Sequence, residues 1–541
     1  MPPSHACDAC RRRKVKCDGV EPCANCSISG LHCEYSISPR KRARKSTRAF
    51  IDAATPESVL DVSLNDVDIA AHWQEPGRIP NAVAGSVDTQ QQSPPSPSKL
   101  GPAVILEAGD RGCAPIFSSF HHDPGHIQAN LVAEANAILS PGSVVELAYE
   151  CIDHFFQYLF PNTPIAHEPT LRDAATLLTL EGHSTLTNLP SCSDSQQQVA
   201  CLRRFTLITA FCAFVTAIMP EIKSTQISSL SKLFLLVSRA TLQLYEEYDL
   251  QYPDSTSLAI RMWYSSAMQN RTGRVGTSYH YHAEAAYIAL RLRLYNENAV
   301  QRKSKVETRL LRTMFWLLFL ADKTAYTLET RPPILNEISF TGDFNLLENS
   351  DREDPMLDQS KMVNQCSLES RIFIGFHLKR RIWSAAAEMI SNIRAFSLQK
   401  KQRLIQLPEE EVALAHLTEA YLLFTGITDQ LPAWLRQPGS VEDVADEEVA
   451  AYHSSCFWTQ RSNIMTAFHC MKLVILQTCI DHQCPAIMGL NSTPLSWAMR
   501  KIEIAQEFLH ELQIVPFICF KVQGEPAVSS FLSFRYHFVS C

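Results

Sequence analysis

Residues 7–33 read CDACRRRKVKCDGVEPCANCSISGLHC, and their six cysteines, Cys7, Cys10, Cys17, Cys23, Cys26 and Cys33, follow the spacing C-x2-C-x6-C-x5-C-x2-C-x6-C. Two halves repeat across a short connector, each a CxxC pair followed by a lone cysteine. A CxxC pair lets two thiolates from one turn reach a single tetrahedral zinc, and a further cysteine supplies the next corner. Six cysteines fall two short of two independent four-thiolate sites, and no histidine stands at a natural ligand spacing to make up the difference. Sharing meets the count, because two thiolates that each bridge both metals let six ligands complete two four-coordinate zinc ions. The symmetric choice is the first cysteine of each half. Cys7, Cys10, Cys17 and Cys23 then hold one Zn2+, and Cys23, Cys26, Cys33 and Cys7 the other. Disulfides are the competing use of these residues. The start MPPSHACDAC has no apolar signal region, thiols are scattered along the chain, and CxxC pairing is a metal pattern, so the reduced state is expected.

Between the second and third cysteines stand Arg11, Arg12, Arg13, Lys14 and Lys16. The cluster beside them is itself negative, since six thiolates outweigh two divalent cations. Five cations on a metal-held element can bind phosphates and the bidentate acceptors of guanine. With Asp8 inside the first CxxC and Pro22 breaking the connector, this spacing resembles the fungal Zn(2)-C6 binuclear zinc cluster transcription factors. The resemblance implies that each half is a short helix followed by an extended strand, and that the first helix enters the major groove of double-stranded DNA at a CGG triplet. It further implies that Arg13 and Lys14 reach base edges while Arg11, Arg12 and Lys16 clamp phosphates. The bridged metal arrangement is also the family's.

At 541 residues, 46% hydrophobic and 19% charged, the chain can bury a large core and is long enough for two to four domains of about 100 to 200 residues. No uninterrupted apolar run of about 18 residues is evident, so no membrane partner is expected. Residues 1–48 carry eleven Lys or Arg against four acids, a formal +7; the whole chain is −7, which leaves about −14 for the rest. An anion-binding head on an acidic body follows. The next basic run, Arg40, Lys41, Arg42, Arg44 and Lys45, is a candidate nuclear-localisation signal and phosphate-contacting tail, which places the protein in the nucleus.

Residues 51–75 contain Pro56 and show no heptads sustained over three repeats, so the zipper that often follows such clusters is not visible, and a homodimer is left as one option. The segment ESVLDVSLNDVDI alternates acids with apolar residues, which suits a short amphipathic element or plain linker. TQQQSPPSPSKLGP has too little apolar surface to fold. His121, His122 and His126 in HHDPGH read as linker histidines rather than ligands.

From Ser140 onward helical periods dominate and strand signals are sparse. Val145, Leu147, Cys151, Ile152, Phe155, Phe156 and Leu159 lie at helical spacing up to Pro161, and residues 201–218 are apolar enough for a buried bundle helix. Residues 280–295 place Ala283, Ala286, Tyr287, Leu290 and Leu292 near one face, and residues 306–319 form a broad apolar stripe. Further helices are expected near 366–400, 409–434 and 455–482, and the period is lost after Val515. The order FF…P..P..H.PT from Phe155 resembles the start of the fungal-specific transcription factor domain. Arg312, Phe315, Trp316, Asp322 and Arg331-Pro332-Pro333 likewise resemble its R..FW…D…..RP signature, with a structural role as an ion network.

The expected fold is mostly α: a two-zinc head at 5–36, a basic tail at 37–50, a largely disordered linker at 51–139 and an all-helical regulatory domain at 140–541. No GxSxG, HExxH, P-loop or Rossmann pattern occurs and only 18 glycines are present, which argues against an enzyme. The expected function is a sequence-specific regulator of RNA polymerase II transcription that binds CGG-like triplets and controls a metabolic gene set. Small-molecule effectors and transcriptional co-regulators are further expected partners. The alternative is a zinc-stabilised interaction or small-molecule-sensing protein without specific DNA readout.

Overall fold

The computed structural model describes residues 6–8, 10, 17–20, 22–28, 32–35, 123–179, 195–219, 227–273, 275–340, 344–348, 354–358, 365–402, 407–439 and 446–524. The chain divides into two compact units, Met1–Glu107 and Ala108–Cys541. Among the described residues there are helices and no strands. In the first unit α1 (Ala24–Ile28) follows directly on Cys23, and Asp8 and Cys10 are helical as well. Residues 11–16 and 29–31, where the extended segments implied by the family resemblance would run, lie outside the described residues.

The second unit opens with α2 (Pro124–Leu139), whose Leu131 and Ala135 are fully buried in the core. This corrects the expected boundary, because residues 124–139 belong to the body and not to the linker. Pro124 hid the helix from a sequence reading, yet a proline at the first helical position costs nothing, since its missing N–H would be unpaired there anyway. His126 is exposed on the first turn of α2, while His121 and His122 lie outside the described residues. Next, α3 (Val144–His154) is started by a capping box between Ser143 and Glu146. It runs into a π-helical turn, Phe155–Leu159, that ends before Pro161.

After α4 (Glu168–Ala175), the helices α5 (Ser195–Ile218), α6 (Ile227–Gln243), α7 (Ser255–Thr272) and α8 (Val275–Arg291) pack in sequence, with α5 against both α6 and α7. A helix buried all round must hide its polar groups internally. Thr206, Thr209 and Thr216 of α5 do so by donating their hydroxyls to the carbonyls of Leu202, Phe205 and Cys212. On α8 the buried face is Tyr281, Ala285, Ala286, Ile288 and Ala289, with Leu290 and Leu292 partly buried against the core, so Ala286 lies inward as expected whereas Tyr287 is 66% exposed.

The helix α9 (Lys305–Thr327) contacts α7 and α8 on one side and α10 (Gln365–Lys401) on the other. It thereby joins the first bundle to a second one made of α10, α11 (Leu407–Thr425), α12 (Glu447–Asp481), α13 (Pro494–Ile514) and the short α14 (Phe517–Lys521). Two described helices, α5 and α12, are long and apolar enough to cross a membrane, and their apolar windows are 72% and 83% buried within the protein, as expected of a bundle helix for residues 201–218. Bent α2 and α3 would make a third span. The apolar surface of α5 and α12 faces other helices, which is why composition alone resembles a span.

Where α10 crosses α12, Gly375 makes the approach possible. A methyl group at Gly375 would lie 2.8 Å from Gln460 Nε2, and that nitrogen donates to the carbonyls of Pro161 and Ile372, each at 2.7 Å. Gln460 therefore ties three segments together at a point with no spare volume. Gly375→Ala is expected to destabilise the body by about 2–4 kcal/mol, through overpacking and loss of buried hydrogen bonds. The urea midpoint of the full chain, which should fall without a change in slope, checks this.

Candidate metal centre and nucleic-acid interface

The six cysteines converge. Cys7, Cys10, Cys23 and Cys26 are fully buried among themselves, and Cys17 and Cys33 pack partly buried at the edge. Their sulfurs form two sets of four, Cys7, Cys10, Cys17, Cys23 and Cys7, Cys23, Cys26, Cys33, each within 4.8 Å of one another. The two sets share Cys7 and Cys23, the residues that the count of ligands singled out. Tetrahedral zinc with bonds of about 2.3 Å requires sulfurs about 3.8 Å apart. Cys7 lies 3.8 Å from Cys23 and 3.6 Å from Cys26, and Cys10 lies 3.5 Å from Cys23. The donor set and its spacing therefore fit two zinc ions.

The backbone repeats the symmetry. In each half the amide of the second cysteine donates to the sulfur of the first at 3.4 Å, Cys10 to Cys7 and Cys26 to Cys23. That amide pulls the Cys7 thiol down to about 6, while burial and the adjacent thiols push Cys26 up to about 12 and Cys10 higher still. Thiols this close cannot all ionise unless cations lie between them.

Three residues outside the sequence expectation hold the cluster's frame. Asp18 accepts from the amides of Ala24, at 3.0 Å, and Val20, pinning the connector to the start of α1; the Ala24 bond holds its carboxyl below the usual range. Gly19, at φ 75°, makes the turn that returns the chain. Tyr35 lies with its hydroxyl 3.3 Å from Cys17 Sγ and donates to the Val20 carbonyl at 3.1 Å. A tyrosine two residues past the last cysteine was the only sequence signal for this support of the outer ligand. The cations expected to meet DNA, Arg11, Arg12, Arg13, Lys14 and Lys16, lie outside the described residues, as do Arg40, Lys41, Arg42, Arg44 and Lys45.

In the second unit the R..FW…D…..RP residues form buried ion pairs that hold loops to α9. Arg312, 2% exposed, pairs with Glu297, which also accepts from the Leu347 amide at 3.1 Å. Trp316 Nε1 donates to the Leu347 carbonyl at 2.9 Å. Asp322 is fully buried, pairs with Arg331 and accepts from the Leu335 amide at 2.8 Å. These groups contact one another and the backbone, which is a structural arrangement.

Comparison with known sequences matches residues 5–42 to the fungal Zn(2)-Cys(6) binuclear cluster domain and residues 152–429 to the fungal specific transcription factor domain. The second match spans more than half of the 541 residues, and the chain belongs to this family of fungal transcription factors. The family comprises regulators and not enzymes, and its six cysteines bind two zinc ions.

The chain is similar to the xylanolytic transcriptional activator xlnR of Aspergillus flavus, 35% identical over 94 residues, which are 16% of this chain and 10% of the relative. It is also similar to the maltose fermentation regulatory protein of Saccharomyces cerevisiae, 54% identical over 43 residues, 8% of this chain and 9% of the relative. The activator of stress genes protein 1 of Candida albicans is 37% identical over 60 residues, 11% and 6% of the two chains. The aligned part thus spans a tenth or less of each relative's length. No solved structure matches.

Because Cys7 and Cys23 belong to both sulfur sets, substitutions should separate into two kinds. Cys7→Ser is expected to release both zinc ions and unfold the head, whereas Cys33→Ser should release the ion of its own set first. Metal analysis of the purified chain, with the helical body unchanged by circular dichroism, reads the difference.

In the body, Arg312→Ala would leave Glu297 buried and unpaired, and is expected to cost about 3–5 kcal/mol in denaturant titration. Acid should act there as well. Burial, with Arg380 and Arg312 nearby, lowers His377 from 6.5 to about 3; burial likewise lowers His469 to about 4. The unfolded chain then binds these protons before the folded one does. Stability is therefore fully present above about pH 6.5 and is lost as the pH falls through the window down to about 4, at up to about 1.4 kcal/mol per pH unit per histidine. Urea midpoints between pH 7 and pH 5 should show this slope, and His377→Gln should flatten it.

Proposed function

We propose that the protein is a sequence-specific DNA-binding regulator of transcription in which the zinc-folded head reads CGG-like triplets and the helical body regulates. The carrying observation is the pair of four-sulfur sets that share Cys7 and Cys23, with a run of five cations placed between two of the ligands. Zinc supplies the folding free energy that so small a module cannot obtain from a core. The metal thus fixes the backbone on both sides of residues 11–16. Cations on a backbone held in this way lose little freedom on docking, so base contacts gain in specificity. Arg13 and Lys14 are assigned to base edges, and Arg11, Arg12 and Lys16 to phosphates. The cysteine ligand sets stand as described above.

The family and its regulator relatives support a nuclear protein, and Arg40, Lys41, Arg42, Arg44 and Lys45 are assigned to import and to phosphate contact. The proposed organisation is a head at 5–36, a basic tail at 37–50, a linker from 51 and a body from 124. The names of the relatives, which concern xylan, maltose and stress genes, support control of a metabolic or stress gene set without choosing among these.

Selection of bound sequences from random DNA by the full, zinc-loaded chain tests the reading. CGG triplets should be enriched, and Arg13→Ala with Lys14→Ala should abolish the enrichment while the zinc content stays unchanged. Absence of enrichment from the zinc-loaded wild type would instead support a cluster that serves a partner-binding protein.

A further inference from the structure

Of the 20 large hydrophobic side chains that are exposed among the described residues, seven fall between Leu495 and Ile518. Five of them lie on α13, and four of these follow in heptad order, Leu495, Met499 and Ile502 at 72%, 52% and 42% exposure and Leu509 at 56%, with Ile514 one place off it at the helix end. Their spacing is four, three and seven residues. With the exposed Gln506 and Gln513 in the intervening places, the outer face of α13 carries apolar residues at four of six a/d positions over nearly three heptads, flanked by the exposed Glu503, Glu507 and His510, on a helix of 21 residues.

The opposite face is separately occupied. Ile504 and Phe508 are buried, Lys501 donates to Gln477 at 2.8 Å, and the ion pairs Arg461–Glu511 and Lys472–Glu507 hold α13 against α12. The helix is therefore anchored, with a second apolar seam turned outward.

We propose that this stripe is a self-association face, on which α13 of a second copy of this chain packs in parallel. Side-chain complementarity selects both the partner and its direction. In a parallel pair, like positions meet. Gln506 then faces Gln506 of the second copy, and each amide can both donate and accept, whereas an antiparallel pair would set the amides against Ile502 and Leu495. Flanking charges agree. An antiparallel pair would bring Glu503 against its own copy, whereas the parallel one sets it beside the small Ala498 and sets His510 beside Ala505. Glu503 is in addition neutralised within its own chain by Arg500 at 2.8 Å.

A face about 31 Å long and about 10 Å wide buries only about 600 Å² over the two copies, below the range of stable interfaces, so the pair should be weak in solution. Two heads on one DNA would raise its effective concentration.

The test is sedimentation velocity of the full, zinc-loaded chain from about 1 to about 100 μM, a range that brackets a weak interface. A monomer–dimer equilibrium is expected. The dissociation constant should rise at least about tenfold in Met499→Lys with Ile502→Lys, and should fall about tenfold in Gln506→Leu, which removes a buried polar pair. All three positions are exposed, so the variants should keep the wild-type circular dichroism. Gln506→Cys treated with glutathione disulfide should link two copies through a new disulfide that the wild type does not form; a persistent dimer without that link overturns the parallel arrangement.

On DNA, the double lysine variant should lose cooperativity on probes with two triplets and keep the wild-type affinity for one. This arm alone rests on the proposed DNA reading, and sedimentation stands without it. A wild type that stays monomeric throughout, or a dimer indifferent to all stripe variants, overturns the proposal and assigns the face to a different chain.

Discussion

Six sulfurs held within 4.8 Å in two overlapping groups of four are a state that a protein backbone alone does not sustain. Each thiolate repels its neighbours, burial penalises every charge, and only cations placed between them reverse both effects. The head's remaining features follow from this. Asp18 and Tyr35 brace the ligands from outside, and Gly19 turns the connector. Sharing Cys7 and Cys23 makes the two metals one structural unit, so the halves cannot fold independently.

The body solves a different problem with the same economy of charge. Its long helices α5 and α12 are apolar enough to enter a membrane and are instead wrapped by other helices, with threonine hydroxyls turned back onto their own turns. Loops between helices are held by buried carboxylate and guanidinium groups that also take backbone amides, as Glu297 and Asp322 do. A buried pair of this kind contributes little net stability compared with apolar packing, but it fixes one loop conformation and penalises all others. The residues of the family signature thus serve the shape of the body, and none of them lines a catalytic site.

The head was legible because metal coordination is a local rule of residue type and spacing. The ligand count alone led to the shared pair that the geometry then displayed. Helix positions in the body were legible from period, and their errors have physical causes. The start of α2 was hidden by Pro124, which suits a first helical turn as well as a linker. Tyr287 was assigned inward because it is large and apolar, yet a helix face is chosen by what packs against it. Tyr35 and Asp18 act through pairs of hydrogen bonds that no periodicity announces, and Gly375 matters only because Gln460 of a distant helix crosses it.

The sequence by itself determined the ligand set, the placement of five cations within it, the helical class of the body and the family to which the chain belongs, since each depends on spacing within one segment. Tertiary structure alone decided which face of each helix is buried, which charges are paired and where apolar surface is left over. The stripe on α13 illustrates the division. Its heptad spacing is written in the sequence, but only the packing of Ile504 and Phe508 against the body shows that the stripe is the face left outside.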